Sequence, residues 1–297
     1  MGGGRSGQLG LLLLFRIFPL RLIYLAMAFV VLFYLLFAAK GRNAVFHYFR
    51  KRLHYSLPQA IWKSYLNHYY FGQVVLDRFA VYSKKKSPFS VTVDGLNIFE
   101  EATESEKGAV LLSAHVGNYE LLGYLLRQEK KQITALVYAG DSSVSEQQRE
   151  KILTKNNIRL VSVGDDMSHL FEIKKTLEQG DFMSLLSDRS FQGNQNVDCE
   201  FLGAKAPFPL SPYLLAEQFE VPAIAVFAMK TSAKHFRVYI RKLSCRSDTA
   251  GKKLRARELL ENYVSELEKI VKLYPAQWYN YFEFWKTEKI NSEPTTT

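Results

Sequence analysis

The chain has 297 residues, of which 47% are hydrophobic, which is enough for one large domain or two small ones with a buried core. Its two cysteines, Cys199 and Cys245, lack metal-ligand spacing and allow at most one disulfide, which excludes a disulfide scaffold and indicates a reducing compartment. The formal net charge of +10 indicates an anionic partner. Charge alone leaves nucleic acid, an acidic protein, a lipid phosphate and an anionic membrane as alternatives.

The N-terminal segment predicts a membrane helix. Residues 22–39 carry no charge and are bounded by Arg21 and Lys40. A helix of this length extends about 27 Å, close to the ~30 Å hydrocarbon core of a bilayer. A cleaved signal peptide has a shorter apolar core. A buried core helix is the weaker alternative because every face of the segment is apolar. We therefore expect an uncleaved anchor, beside which residues 11–20 can lie along the interface.

The basic residues beside this segment predict its orientation. More of them follow the segment than precede it, and the first acidic residue after it is Asp77. The positive-inside rule therefore places the bulk of the chain in the cytoplasm. The same residues can also rest on anionic headgroups.

The rest of the chain alternates between strand and helix patterns. In chain order they are helix 58–82, strand 91–93, strand 109–114, helix 118–129, strand 133–137, helix 144–156, strand 158–163, helix 167–179, strand 182–186, a helix from Ser211, strand 223–229, strand 236–243 and helix 254–273. This rhythm predicts an α/β fold with a mixed central sheet and flanking helices, preceded by an N-terminal transmembrane or membrane-interfacial helix. The expected divisions are an anchor with its basic segment (1–56), a catalytic domain (57–290) and a disordered tail (291–297).

The most informative segment is LLSAHVGNYE, residues 111–120. On one continuous helix His115 and Glu120 would lie roughly 140° apart and could not meet. Gly117 permits an unusual backbone angle and Asn118 can cap a following helix, so a turn is expected between them. His115 then lies at the carboxyl end of a strand, where open α/β sheets bind ligands.

This pattern predicts acid–base chemistry at His115. A carboxylate that accepts a proton from one imidazole nitrogen leaves the other free to take a proton from a hydroxyl, so we assign His115 as general base and Glu120 as its orienting partner. By spacing alone such a pair is more often structural, but the preceding strand, the glycine turn and the apolar N-terminus favour catalysis. No Gly-x-Ser-x-Gly segment is present, which argues against an α/β-hydrolase esterase.

Further polar residues are expected at the same edge of the sheet. Asp188 follows strand 182–186, and the forked guanidinium of Arg189 is suited to a substrate phosphate or carboxylate. An ion pair between the two that merely closes the loop is an equal alternative. The loop 190–210 is long enough to bind substrate, and its Lys205 can neutralise an anion, although solvation is its commoner role. The predicted substrate-binding residues are Asn118, Asp188, Arg189 and Lys205, and no metal site is expected.

A base with an orienting carboxylate and no protein nucleophile is an arrangement of acyl transfer. Three other classes of function compete with it. A membrane-tethered binding protein would leave the block around His115 unexplained. A glycosyltransferase or phosphatidyl-type transferase should show carboxylates paired for a metal, and no convincing Asp-x-Asp segment occurs. Nucleic-acid binding is disfavoured, because the basic residues are either dispersed or clustered beside the apolar segment.

The block SAHVGNYE resembles the catalytic block of the lipid A biosynthesis acyltransferases of the LpxL/HtrB type, within the lysophospholipid acyltransferase superfamily. The likeness runs from the N-terminal segment to about Trp285, with VDG (93–95), LSDR (186–189), FLG (201–203) and VP (221–222) in the order of the family. Glutamate at position 120 is usual in this branch. The chain departs from the family at Asp188-Arg189, where members commonly have Asp-Gln, which leaves the acceptor lipid open.

The resemblance implies transfer of a fatty acyl chain to a hydroxyl of a membrane glycolipid, such as a lipid A precursor, at the cytoplasmic face of the inner membrane. The donor it implies is acyl carrier protein, with coenzyme A as the alternative, and no further cofactor is expected. His115 and Glu120 carry over as base and partner. An acidic carrier would suit a +10 chain. Basic docking candidates are residues 84–86 and the start of the late helix (252–257). The alternatives are another acceptor, such as an amino-acid lipid or lysophospholipid, and a non-catalytic tether.

Overall fold

The structure is a computed structural model, and it describes residues 10, 13–15, 17–37, 39–83, 87–126, 130–138, 153–163, 168–189, 195–246 and 249–285. The predicted tail (291–297), the basic residues 84–86 and most of the predicted helix 144–156 lie outside these residues.

A seven-stranded sheet forms the centre of the fold, in the order β1-β9-β8-β2-β5-β3-β4, beside a two-stranded hairpin, β6-β7. The strands are β1 Ser90–Asp94, β2 Ala109–Ser113, β3 Ile133–Tyr138, β4 Ile158–Val163, β5 Phe182–Leu186, β6 Asn196–Phe201, β7 Ala204–Pro209, β8 Ala223–Ser232 and β9 His235–Lys242. Within the large sheet only the β8–β9 pair is antiparallel. The predicted mixed α/β fold is therefore confirmed.

Helices cover both faces of the sheet. The helices named in this article are α1 Leu20–Phe37, α2 Ala39–His47, α3 Leu57–Ser83, α4 Leu96–Glu104, α5 Leu122–Leu125, α6 Ser168–Glu178, α7 Ser211–Phe219 and α8 Lys252–Leu273. In β2, Val110 and Leu112 belong to one core cluster and Ala109 and Leu111 to another, because successive side chains of a strand face opposite sides. Helices α6, α7 and α8 pack on the first face, and α4 and α5 pack on the second. Four of the five residues of β2 are apolar, as expected for a strand covered on both faces.

The strands separate at one place on the carboxyl edge of the sheet. Strand β5 pairs with β2 over its whole length, but it pairs with β3 only from Ile133 to Ala135. Beyond that point β3 continues to Tyr138 alongside β4 alone. The carboxyl halves of β3 and β5 therefore diverge.

The apolar N-terminal segment forms α1, but the predicted membrane crossing is not confirmed. None of the helices in the described ranges is long and apolar enough to span a bilayer. One side of α1 packs on the protein, where Tyr24 and Val31 are buried and Tyr65 of α3 donates a hydrogen bond to the carbonyl of Ala28 (3.0 Å). The other side exposes large apolar side chains.

Two local predictions differ from the structure. The predicted helix 118–129 is a 3₁₀ turn, Tyr119–Leu121, followed by the short helix α5. The predicted loop 190–210 contains the hairpin β6-β7. In β6, Cys199 and Phe201 are buried while Glu200 between them is exposed, which is the alternation of a strand with one covered face.

Candidate active site

The turn after β2 has the predicted geometry. Gly117 has φ +54°, and a Cβ at this position would lie 2.1 Å from the carbonyl oxygen of Ala228, so only glycine fits. The side chain of Asn118 accepts a hydrogen bond from the backbone of Leu121 (3.3 Å) and caps the 3₁₀ turn. His115 therefore lies at the carboxyl edge of the sheet, as the sequence predicted.

Backbone hydrogen bonds from distant segments hold this turn. The carbonyl of His115 accepts from Tyr279 (2.9 Å), and the amide of Gly117 donates to the carbonyl of Gln277 (2.8 Å). The amide of Asn118 donates to Ala228 (2.7 Å). The segment after α8 thus fixes the backbone that carries His115.

The imidazole of His115 contacts a buried carboxylate. Its Nδ1 lies 2.8 Å from Oδ1 of Asp188, while Oδ2 of Asp188 accepts from the backbone amide of His115 (3.0 Å) and from the indole of Trp278 (3.4 Å). An ionised carboxylate only accepts hydrogen bonds, so Nδ1 carries the proton. In the neutral ring Nε2 is then a free acceptor, as a general base requires.

The surroundings of Asp188 keep it ionised. Burial alone would raise the pKa of this carboxyl, but the charge and hydrogen bonds of His115, with the nearby charge of Arg189, hold it below its ordinary value. The side chain is only 2% exposed, against 15% for that of His115. The pair therefore combines a sheltered carboxylate with an accessible ring.

The carboxylate at Nδ1 of His115 belongs to Asp188 and not to Glu120, the predicted partner. The Oε2 atom of Glu120 accepts from Nη1 of Arg78 on α3 (2.9 Å), and both side chains are largely buried. The tight 3₁₀ turn directs Glu120 towards α3 rather than towards His115.

Strand register explains why Asp188 takes this place. Ser113 of β2 is paired with Leu186 of β5, and His115 and Asp188 each follow two residues later. Adjacent parallel strands thus deliver both side chains to the same point.

A cavity of about 1310 Å³ opens beside this pair. Four polar residues line it near the turn, namely His115, Tyr119, Glu120 and Arg189. The ring of Tyr119 lies edge-on to that of His115, with centroids 5.1 Å apart. Most of the other lining residues are leucine, isoleucine, valine or alanine. The arrangement suits a long hydrocarbon chain whose polar end lies at His115.

The predicted substrate-binding residues have different positions. Arg189 lines the cavity, where Nη2 donates to the carbonyl of Tyr279 (2.8 Å), and its buried Nε has no hydrogen-bond partner among the described residues. Asn118 is buried, and its side-chain groups bind other parts of the protein. Lys205 is exposed on β7 and does not belong to the described lining of the cavity. Only Asp188 and Arg189 of this set therefore lie at the candidate site.

A buried polar cluster behind the turn was not predicted. Asp77 of α3 accepts from Lys230 of β8 (2.7 Å), from the side-chain amide of Asn118 (2.9 Å) and from the hydroxyl of Tyr24 on α1. Burial raises the pKa of Asp77 and lowers that of Lys230, and their mutual attraction opposes both shifts. These residues are far apart in sequence, so no local pattern could have identified the cluster.

The candidate docking cluster on α8 is largely neutralised. Lys252, Arg255 and Arg257 each lie beside an acidic side chain, namely Glu220, Glu217 and Glu261 respectively. This part of the surface carries less net positive charge than its sequence suggests.

The sequence was compared with known protein families. The model of a family described as bacterial lipid A biosynthesis acyltransferase matches residues 55–287, well over half of the chain. A search of curated proteins found no match.

Proposed function

Because the chain belongs to the bacterial lipid A biosynthesis acyltransferase family, we propose that it moves a fatty acyl chain from an acyl thioester to a hydroxyl of a membrane glycolipid such as a lipid A precursor. The observation that carries the proposal is the His115–Asp188 pair at the polar end of a large apolar cavity. The cavity accommodates the chain, and the pair supplies the base.

The proposed reaction is a direct transfer. Nε2 of His115 takes the proton of the acceptor hydroxyl as its oxygen attacks the thioester carbonyl carbon. The resulting imidazolium is stabilised by the ionised carboxylate of Asp188. When the carbon–sulfur bond breaks, the thiolate leaves and takes the proton from His115, which returns the ring to its neutral state. No protein nucleophile is needed.

We assign Arg189 to an anionic group of the substrate. It lines the same cavity, and in the part of the chain that the structure describes its buried Nε has no hydrogen-bond partner. A buried guanidinium donor without an acceptor is costly, and a phosphate or carboxylate oxygen would supply one. Arg189→Lys keeps the positive charge but loses the paired hydrogen-bond donors of the guanidinium. It is expected to raise the KM for the acceptor more than it lowers kcat.

The proposed donor is an acyl carrier protein. Such carriers are acidic and this chain has a net charge of +10, so their attraction should speed encounter and weaken as salt screens it. Transfer at limiting donor should therefore slow as salt rises. Equal use of acyl-coenzyme A without salt dependence would contradict this assignment.

We place the protein at the inner membrane, with its catalytic domain on the cytoplasmic side. Leu25, Phe29 and Phe33 lie four residues apart along α1 and are 57%, 70% and 66% exposed. This face can enter the interfacial region of a bilayer, while exposed Arg50 and Lys51 can bind anionic headgroups. Substituting these three residues with serine should release the protein from vesicles.

Mass spectrometry of total lipids tests the function. Cells with the gene should contain one lipid class that is heavier by an acyl chain than in cells without it, or in cells that carry His115→Ala. A lipid A precursor as that class would support the full proposal. Another lipid would correct the acceptor, and no change in any lipid would favour a non-catalytic tether.

A further inference from the structure

The cavity is lined from both faces of the sheet. Its lining includes Leu111, Ile133 and Ile158, which belong to the core cluster under α4 and α5. It also includes Ile173, Leu185 and Leu214, which belong to or pack on the cluster under α6, α7 and α8. A continuous sheet would separate these two groups, so the cavity must pass the sheet where its strands part.

The passage lies where β3 and β5 diverge. Their pairing ends at Ala135 and Ser184, and both residues line the cavity. So do the next residues of the two strands, Leu136 and Leu185, which belong to the opposite face. The cavity therefore has two arms, one on each face, joined through this gap.

The first arm begins at His115. Strand alternation places Leu111 on the same face as His115, with Ile133 and Ile158 across from it on β3 and β4. Ile133 and Ile158 begin their strands and Leu111 is the middle residue of β2, whereas His115 lies beyond the carboxyl end of β2. A chain in this arm would run down the strands from the reacting group.

The second arm lies between the sheet and the helices α6 and α7. Ile173 contributes from α6 and Leu214 from α7, and Ser211 and Gln218 add polar groups along α7. The total volume of about 1310 Å³ is larger than the ~300–1,000 Å³ of common single-ligand pockets.

We infer that the two arms hold two different hydrocarbon chains: the first holds the acyl chain being transferred, and the second holds a chain that the acceptor lipid already carries. This inference rests on the proposed function. It makes the acceptor a lipid that enters the site with its own chain, and it gives donor and acceptor chain lengths separate structural determinants.

A matched pair of substitutions tests it. Ile158 and Ile173 are both buried, at 5% and 4% exposure, and each lines one arm. The full-length Ile158→Phe and Ile173→Phe proteins are given a series of acyl carrier protein thioesters and a membrane lipid extract. Fragmentation mass spectrometry of the products then reads the transferred chain and the acceptor's own chains separately.

The two variants are expected to change the length preference for different chains. Ile158→Phe should favour shorter donor chains, by roughly tenfold or more in kcat/KM for each methylene that no longer fits, with the acceptor chains unchanged. Ile173→Phe should favour acceptors with shorter chains, with the donor preference unchanged. If a phenylalanine variant fails to fold, Ile158→Ala and Ile173→Ala enlarge the same arms and should shift the same preferences towards longer chains.

The inference would be overturned if both substitutions changed the length preference for the same chain, or if neither changed any preference. It would also be overturned if Ile158→Phe changed the acceptor preference and Ile173→Phe changed the donor preference. A wild-type protein that transfers no acyl chain would instead contradict the proposed function. The cavity could still be tested in that case, because labelled dodecanoate should bind at two saturable sites in the wild type and at one in each phenylalanine variant. One site in all three proteins would also overturn the inference.

Discussion

Two buried pairs of a nitrogen base and a carboxylate flank the same turn, His115 with Asp188 and Lys230 with Asp77. Both carboxylates are almost fully buried, but the exposed fraction of the base differs: the His115 side chain is 15% exposed and lines the cavity, whereas that of Lys230 is 6% exposed and lies among aromatic rings. A base that keeps one free nitrogen at a cavity can exchange protons with a substrate. A base enclosed by its partners can only hold the fold together.

Breaking the first pair at its base should give the largest effect on activity. His115→Ala removes the proposed general base, which is worth about 10² to 10⁴ in rate, or roughly 2.7 to 5.5 kcal/mol of barrier. Stability should also fall, because the buried carboxylate of Asp188 loses its contact with the ring and keeps those with the backbone amide at position 115 and the indole of Trp278, so turnover is compared below the Tm of both proteins. The control is His235→Ala, because the ring of His235 on β9 forms hydrogen bonds with Ser90 and Thr92 and has no role in the proposed reaction. Turnover and thermal melting of both proteins check the prediction.

Breaking the second pair should instead affect stability. Lys230→Met leaves Asp77 as a buried, uncompensated carboxylate, which costs about 3–5 kcal/mol in the free energy of unfolding. The double variant Asp77→Leu with Lys230→Met should recover much of this loss. Lys242→Met is the matched control, because the partner of Lys242 is the exposed Glu101 and such pairs contribute about 0–1 kcal/mol. Urea unfolding measures all three, and equal losses for Lys230→Met and Lys242→Met would contradict the comparison.

The smallest effect concerns stability in acid. The folded pKa of Asp188 lies below its ordinary 3.8, so the folded state releases this proton more readily than the unfolded state. Its contribution to stability is therefore complete above that ordinary value and is lost as the pH falls through the lowered folded pKa. The difference in Tm between the wild type and Asp188→Asn should be constant above about pH 5 and should shrink below it. A difference that grows on acidification would show that the folded pKa is raised.

The sequence predicted the α/β core because strand and helix patterns are local. Strands β4 and β5 have the predicted boundaries, 158–163 and 182–186, and His115 lies at the predicted edge. The partner of His115 was missed because it depends on strand register over a separation of 73 residues. Glu120 was chosen because it is near in sequence, although the 3₁₀ turn directs it to Arg78. The same limit hid Lys230, which lies 153 residues from Asp77.

The N-terminal helix is present, but the predicted membrane crossing is not confirmed, for a different reason. Hydropathy indicated a helix correctly, and α1 spans Leu20–Phe37. A single sequence does not reveal that α3 covers one side of it, with Tyr24 bonded to Asp77. Apolar composition on every face therefore reflects two environments, one against the protein and one exposed.

The most direct test of the site is a comparison of two conservative variants, Asp188→Asn and Glu120→Gln, in one acyl-transfer assay. An amide at position 188 has one acceptor oxygen, which the backbone amide of His115 and the indole of Trp278 require, so its NH2 group faces Nδ1 and favours the wrong tautomer of the ring. The rate should therefore fall by a large part of the roughly 10² to 10⁴ that general-base catalysis supplies. Glu120→Gln keeps a hydrogen bond to Arg78 and should cost about tenfold or less, equivalent to roughly 1.4 kcal/mol. We expect Asp188→Asn to be the slower enzyme. A Glu120→Gln protein that is as slow as His115→Ala, beside a fully active Asp188→Asn protein, would contradict it.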